Sequence, residues 1–525
     1  MPLRLTHILL LIGVLLLALV PRALFISGTS PYPMHEDEAL IAVPAARMLK
    51  RGELNPHWFK YPSLPIYLTA AGLAAGRVID GDTDSEVGRV GRPYYDRPAV
   101  METARYLFAV LSVAVFAMVG LLAFKATGEP WLLSLAPLLL LVSDRFLIQS
   151  WTYLNVDIVG ALVCTGALAY AFCTRGRTSL LHRALLPGLL TGLAVGSKYY
   201  LGLVGLPFAL LLFEREHRPQ LLKNAGAIVA ATILGFLIST PYALLDSETF
   251  VEHLVFEVEH YSEGHAGGDG EPGLSQLVYY GGQLHKEFGY GLLAFALIGL
   301  VGLVKRDRKS ALLLLSFPVA LLVFLATQRV HFPRNIISIY AVLPILAAYG
   351  LSVCVKSTRE SKLAHLGPVL VVVALVLTVP HKRIRASYSI PADSRTRAAE
   401  WIEANRPDGS RVYIADELQM DTRELEAFDV HTLPLTELVR PDMIGHYAKE
   451  DPVFVLPESL PGSRFARTFG KTMEPTRALT QRAKFGRNPV PRRTTRLVHM
   501  GDPRLQVLGL PGPSSGEGAD DSSSR

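Results

Sequence analysis

Cysteine is almost missing from this 525-residue chain: Cys164, Cys173 and Cys354 are the only three, and each sits in an apolar stretch. They leave no pair in the polar segments for a disulfide framework or a cysteine metal cluster, and nothing points to redox chemistry. Charge is the second scarcity. Asp, Glu, Lys and Arg make up 19% of the residues and hydrophobic types 50%, where soluble domains carry about 25% charged residues. With a mean hydropathy of +0.30, a bilayer is the expected solvent. A basic amphipathic face is missing too: the formal charge of +6 comes from residues in short loops between apolar runs, so nucleic acid is not a partner. Nor does the chain repeat itself or pair broken helices in two halves, the mark of many transporters.

Long apolar runs recur from Leu5 to Pro380, and the composition turns mixed and charged near His381. Three parts follow: a membrane domain over 1–380, a soluble domain over 381–511, and a tail over 512–525 whose Gly, Ser and Asp content reads as disordered. In lipid every backbone group must be satisfied internally, so the runs are expected to be helices. Spans are placed near 5–26, 103–124, 130–143, 156–173, 184–197, 199–213, 222–241, 289–304, 310–327, 335–354 and 363–380, eleven in all. The first run is long enough to span and is read as a retained helix rather than a cleaved signal peptide, although small residues follow it at Ser27 to Ser30. The stretch 184–213 reads as a hairpin or as one long tilted helix, with Arg183 and Arg215 on one side favouring the hairpin.

Orientation follows from lysine and arginine, which collect in short cytoplasmic loops. The loops 174–183, 214–223, 305–309 and 356–362 hold thirteen basic residues against four acidic ones, whereas Ala243 to Phe288 carries nine carboxylates and one lysine. The former are expected inside and the latter outside. Ser63 to Val78 is apolar enough to imitate a span, but counting it would invert every later loop, so it reads as a helix lying on the outer surface. An odd number of spans with a cytoplasmic N-terminus makes the C-terminal domain extracytoplasmic, in a multi-pass protein of the plasma or inner membrane. That domain is expected to be small and α/β, with a helix over Ser394 to Asn405 capped by Asp393 or Ser394. Its strand-like runs are Arg411 to Ala415, Val453 to Leu456, Arg496 to Met500 and Leu505 to Leu508.

Ionisable residues gather at the expected outer ends. His35, Glu36, Asp37 and Glu38 follow the first span. Three adjacent carboxylates imply a bound divalent cation or a carboxyl with a raised pKa, unless they merely favour a helix N-terminus. Asp157, after Trp151, Thr152 and Asn155, opens the fourth span as a functional group or a helix-capping one. On the basic side stand Lys198 with Tyr199 and Tyr200, then Arg329, His331 and Arg334. Cations on the outer surface need a partner, either a lipid phosphate or the carboxylates of Asp37 and Asp157. The acidic loop adds Glu257, His260, Tyr261, Glu263 and His265 beside the glycines from Gly264 to Gly270. The two histidines suit a mobile loop better than a metal site; no cofactor is called for by these residues, and a divalent cation stays open.

Taken in order, these features resemble the GT-C superfamily, in particular bacterial relatives of protein O-mannosyltransferases and of the lipid A aminoarabinose transferase. The resemblance is carried over roughly the first 350 residues. Its motifs are His35-Glu36-Asp37-Glu38, Lys60-Tyr61-Pro62-Ser63-Leu64, Asp157, Gly192-Leu193-Ala194 with Lys198-Tyr199, Pro241-Tyr242, and Arg334. It implies an all-α GT-C-like membrane domain and an inverting glycosyltransferase. A hexosyl or pentosyl group would pass from a polyprenyl-phosphate donor to an extracytoplasmic glycan, lipid or protein. Asp37 and Glu38, with Asp157, would be the catalytic carboxylates. Lys198, Tyr199, Arg329 and Arg334 would hold the donor phosphate, and His35, Lys60, Tyr61, His260 and His265 would contact substrate. Glu36 stands where many relatives have proline, and Asn335 where an aromatic is common. The competing reading is a transporter or flippase for a lipid-linked sugar, which would place ionisable residues deep in several spans; the candidates here cluster at outer ends.

Overall fold

The computed structural model describes residues 3–30, 32, 35, 37–81, 98–151, 154–214, 220–264, 268–359, 393–418, 420–438, 440, 452–457, 480–485 and 505–509. They fall into two compact units: Met1–Ser27 with Leu40–Ile390, and Gly28–Ala39 with Pro391–Arg525. The short connection after the first helix thus belongs with the C-terminal part of the chain.

The first unit is helical. In chain order the helices are α1 (Leu5–Thr29), α2 (Glu38–Arg51), α3 (Leu64–Asp80), α4 (Pro98–Thr127), α5 (Leu132–Leu140), α6 (Asp144–Trp151), α7 (Val156–Cys173), α8 (Leu186–Val195), α9 (Leu206–Leu212), α10 (Leu221–Ser239), α11 (Tyr242–Leu245), α12 (Ser247–Glu263), α13 (Leu274–Arg306), α14 (Arg308–Ala326) and α15 (Val342–Arg359). A π turn over Leu181–Leu185 leads into α8, and 3-10 turns precede α9 and α15 at Tyr199–Gly205 and Pro333–Ile339.

Among the described residues six helices are long and apolar enough to cross a membrane, or seven if the bent Pro333–Ile339 and Val342–Ser357 pair counts as one span. They are α1, α4, α7, α10, α13 and α14, each at an expected span. The remaining expected spans are shorter or broken. The run 130–143 gives only the nine residues of α5, and 363–380 lies outside the described residues. The stretch 184–213 reverses at Gly196 to Lys198: a Cβ at Gly205 would meet Thr191 at 3.1 Å, so its two arms lie side by side. The helix expected over 63–78 is α3, Leu64–Asp80.

Local chemistry sets several boundaries. α7 starts where Asn155 accepts the Ile158 N–H at 3.1 Å, placing Asp157 in the favourable first turn. α14 starts where Asp307 accepts from the Lys309 and Ser310 N–H groups. α13 bends at Gly289, whose φ of 67° a residue with a side chain rarely adopts. Beyond that bend α13 packs tightly on α15 through reciprocal glycines. A Cβ at Gly299 would lie 1.9 Å from the Leu346 carbonyl oxygen, and one at Gly350 the same distance from that of Phe295. Such small-residue contacts suit helices in lipid, where close van der Waals packing replaces hydrophobic exclusion.

The second unit contains α16 (Ser394–Asn405) and a mixed sheet of β1 (Arg411–Ala415), β2 (Asp429–Leu433), β3 (Val453–Pro457), β4 (Thr480–Phe485) and β5 (Leu505–Gly509), in the order β2-β1-β3-β5-β4. β1 pairs in parallel with β2 and β3, and β5 runs antiparallel to β3 and β4. Ala398, Ala399 and Ile402 of α16 share a core with Val412, Ile414, Val455 and Val507. The expected helix, its Asp393 cap and three of the four expected strands are in place; Arg496 to Met500 lies outside the described residues.

Candidate functional site

The chemistry-bearing residues of the first unit converge where the α2–α3 connection meets the tip of the α8–α9 hairpin. Leu64 N–H donates to the Gly196 carbonyl at 3.1 Å, Ser63 N–H to Thr240 Oγ1 at 3.2 Å, and Tyr199 Oη to the Phe59 carbonyl at 2.6 Å. Phe59 N–H in turn donates to His253 Nδ1 at 3.2 Å. That bond needs an unprotonated imidazole, and burial together with Lys60 lowers the pKa of His253. The stapled connection hands Lys60, Tyr61 and Pro62 to a cavity of about 370 Å³.

Lys198, Tyr199 and Tyr200 line the same cavity from the hairpin tip, Leu254, Glu257, Val258 and Tyr261 from α12, and Phe324 and Gln328 from α14 and its end. Most of this wall is apolar or aromatic, and its charge comes from two lysines and one carboxylate. Lys60 Nζ rests 3.3 Å from the Phe256 ring centroid and 5.3 Å from that of Trp58. Among the described residues it joins no ion pair. Lys198 is different: its Nζ donates to Asp157 Oδ1 at 2.8 Å, with the side chains 8% and 5% exposed. A longer bond of 3.4 Å reaches Asn335 Oδ1, whose amide donates to Tyr280 Oη at 3.3 Å. The two alternatives for Lys198 thus meet in one residue, which borders the cavity while carrying a carboxylate partner.

Glu257 is the cavity's lone lining carboxylate among the described residues. Burial pushes its pKa up to about 7, against the pull of Lys60 and Lys198. Burial likewise raises that of Tyr261, opposed by Lys198 and Arg334, so Arg334 shares this electrostatic neighbourhood. Its guanidinium lies 4.4 Å from the Phe332 ring centroid. Arg329 faces elsewhere: it pairs with Glu271 at 3.5 Å, and its neighbour Gln328 lines the cavity instead. His260 stacks on Phe256 with centroids 6.1 Å apart, and His265 lies outside the described residues. Among the described residues no three His, Cys, Asp or Glu side chains are grouped to hold a metal ion.

Glu257 had no assigned place in the sequence beyond its acidic loop. A usable signal was present, because Leu254, Glu257, Val258 and Tyr261 follow the i, i+3, i+4, i+7 spacing of one helix face. Tyr280, which completes the Asn335 bond, had no comparable signal.

His35, Asp37 and Glu38 belong to the second unit. His35 Nδ1 accepts the Asp37 N–H at 3.1 Å and lies 3.6 Å from Asp37 Oδ2, while Glu38 is fully buried at the start of α2. Glu36 lies outside the described residues.

No family model and no curated sequence matches the chain. Its fold does match solved structures. The ArnT protein of Cupriavidus metallidurans bound to undecaprenyl phosphate superposes with a TM-score of 0.50 at 14% identity, over 97% of this chain and 99% of that one. The apo oligosaccharyltransferase of Archaeoglobus fulgidus gives 0.50 at 13% identity, over 91% of this chain and 73% of the other. The chain shares the fold of these two structures.

Proposed function

We propose that this chain is a GT-C-type membrane glycosyltransferase that takes a sugar from a polyprenyl-phosphate donor, with the cavity at Lys60 and Lys198 receiving the phosphate. The carrying observation is Lys60. A lysine held over aromatic rings beside an apolar cavity, with no ion-pair partner among the described residues, supplies a cation for an anionic head group. The apolar walls suit the adjoining lipid. Support from similarity is the fold shared with an undecaprenyl-phosphate-bound protein.

In this reading an acceptor hydroxyl attacks the anomeric carbon from the face opposite the phosphate. The base that takes its proton is assigned from the first-loop motif to Asp37, with Glu38 next in sequence. The bond to the phosphate oxygen breaks, the lipid phosphate leaves with the electron pair, and Lys60, Lys198 and Arg334 stabilise the charge it gains. One displacement inverts the anomeric centre. Asp157 keeps Lys198 charged and aimed, and Tyr199 fixes the Phe59–Lys60 backbone. The N-terminus is placed in the cytoplasm and the C-terminal unit outside, as the distribution of basic loops supports.

The test offers the purified full-length chain a panel of polyprenyl-phosphate sugars with membrane extract as acceptor source, and measures free polyprenyl phosphate. Release that needs Asp37 and acceptor supports transfer. Movement of labelled lipid between vesicle leaflets without donor consumption would replace this reading with a flippase.

A further inference from the structure

Tyr32 stands three residues before His35 and five before Asp37, and its side chain is completely buried. The seat that holds it is built by the C-terminal sequence of the same compact unit. Asp393 caps α16 by accepting the Arg395 N–H at 3.0 Å, and the same carboxylate takes Arg395 Nε at 2.8 Å and Nη2 at 3.0 Å. Arg395 Nη1 donates to the Leu418 carbonyl at 3.3 Å. The guanidinium is therefore fixed in plane, and its Cζ lies 3.8 Å from the centroid of the Tyr32 ring. At the far end of the ring Tyr32 Oη accepts the Asp421 N–H at 3.1 Å. Burial raises the phenol's pKa, so the group stays a neutral acceptor.

A fully buried ion pair is a poor way to stabilise a small domain, since apolar residues of similar size commonly do as well. What Asp393 and Arg395 provide is a flat, oriented surface on which an aromatic ring docks. The ring comes from the loop that carries the candidate base. Two backbone bonds among the described residues of that loop are local: Tyr32 N–H to the Thr29 carbonyl at 3.1 Å and Glu38 N–H to the His35 carbonyl at 3.2 Å. Tyr32 ties the loop to something outside itself.

We propose that the C-terminal unit acts as a holder for the first-loop carboxylates, with Tyr32 as a positioning residue seated on Arg395. The proposal rests on reading Asp37 as the base. It gives the C-terminal sequence of that unit a part in the reaction through the placement of Asp37. A displacement of about 1 Å at a reacting group costs about a hundredfold in rate, so loss of the ring is expected in kcat and not in donor KM.

The experiment uses the full-length chain with wild type, Tyr32→Ala, Tyr32→Leu and Tyr32→Phe. Two readouts are taken: kcat and KM for a polyprenyl-phosphate sugar, and amide hydrogen exchange over His35 to Ala39. Tyr32→Ala and Tyr32→Leu should lower kcat by about a hundredfold, leave donor KM within about twofold, and speed exchange over His35 to Ala39. Tyr32→Phe keeps the ring on the guanidinium and should restore most of the rate. Unchanged exchange in both Tyr32→Leu and Tyr32→Ala overturns the proposal, whatever the activity. So does a loss of kcat in Tyr32→Phe as large as in Tyr32→Ala, because the ring would then not be the anchor. If exchange responds as expected but the wild type consumes no donor, the anchoring stands and the donor reading falls.

Discussion

Lys198 and Asp157 form a buried ion pair of 2.8 Å at the edge of the cavity, joining the tip of the α8–α9 hairpin to the first turn of α7. Breaking one side of such a pair leaves a charge without compensation, a cost of about 3–5 kcal/mol, whereas removing both costs far less. Lys198→Met and Asp157→Asn should therefore each lower thermal stability more than the double variant does. A melting series on the three proteins measures the coupling, and additive losses would show that the pair is not acting as a unit.

Lys60 should behave oppositely, because its charge faces aromatic rings and a cavity instead of a carboxylate. Lys60→Ala is expected to weaken binding of a polyprenyl-phosphate sugar by at least about tenfold, the worth of one charge-assisted hydrogen bond at roughly 1.5–3 kcal/mol. Melting temperature should change little. Donor affinity equal to wild type would move the phosphate site away from this lysine.

Glu257 makes the cavity sensitive to pH, since a carboxyl poised at about 7 changes charge in the neutral range. Protonated, it can donate to an anionic ligand; ionised, it repels one. Affinity for a phosphodiester donor, which does not itself titrate there, should be flat well below pH 7 and fall as pH rises through it. Stability follows the same sign. The folded pKa is raised above the ordinary 4.5, so Glu257's contribution is full below that value and is lost as pH climbs to about 7. Glu257→Gln should flatten both profiles, and a variant that keeps the wild-type binding profile would assign the dependence to another group.

Legibility in the sequence followed the strength of the local pattern. α7 and α16 appear at their expected bounds, Val156–Cys173 and Ser394–Asn405, because each combines a cap with a helix-forming run. The strands β2 and β4 went unseen for a physical reason: both are edges of the sheet. An edge strand needs no continuous apolar run, and Thr480–Phe485 carries arginine and lysine. Lys60 and Lys198 could be named from short motifs, but no spacing connects residues 138 positions apart. Their meeting depends on Leu64 N–H finding the Gly196 carbonyl, a tertiary bond without local signature. The polarity of each cation was legible and Asp157 stood among the expected partners, whereas which cation took which partner was not: Asp157 took Lys198, Glu271 took Arg329, and Lys60 was left to aromatic rings.

Asp37 carries the most demanding prediction, because its proposed work is proton removal and not binding. Asp37→Asn keeps the size of the side chain and removes its basicity. Transfer should fall by about 10²–10⁴-fold, the usual worth of general base catalysis, while binding of the polyprenyl-phosphate sugar stays as in wild type. His35 tests the same assignment from the side: its ring lies 3.6 Å from the carboxylate and accepts the Asp37 N–H. If that contact orients the base, His35→Ala should reduce kcat by less than Asp37→Asn and leave donor KM unchanged. Single-turnover measurements at saturating donor separate the two effects. Full turnover in Asp37→Asn would remove this residue as the base and turn attention to Glu38, the buried carboxylate that follows it.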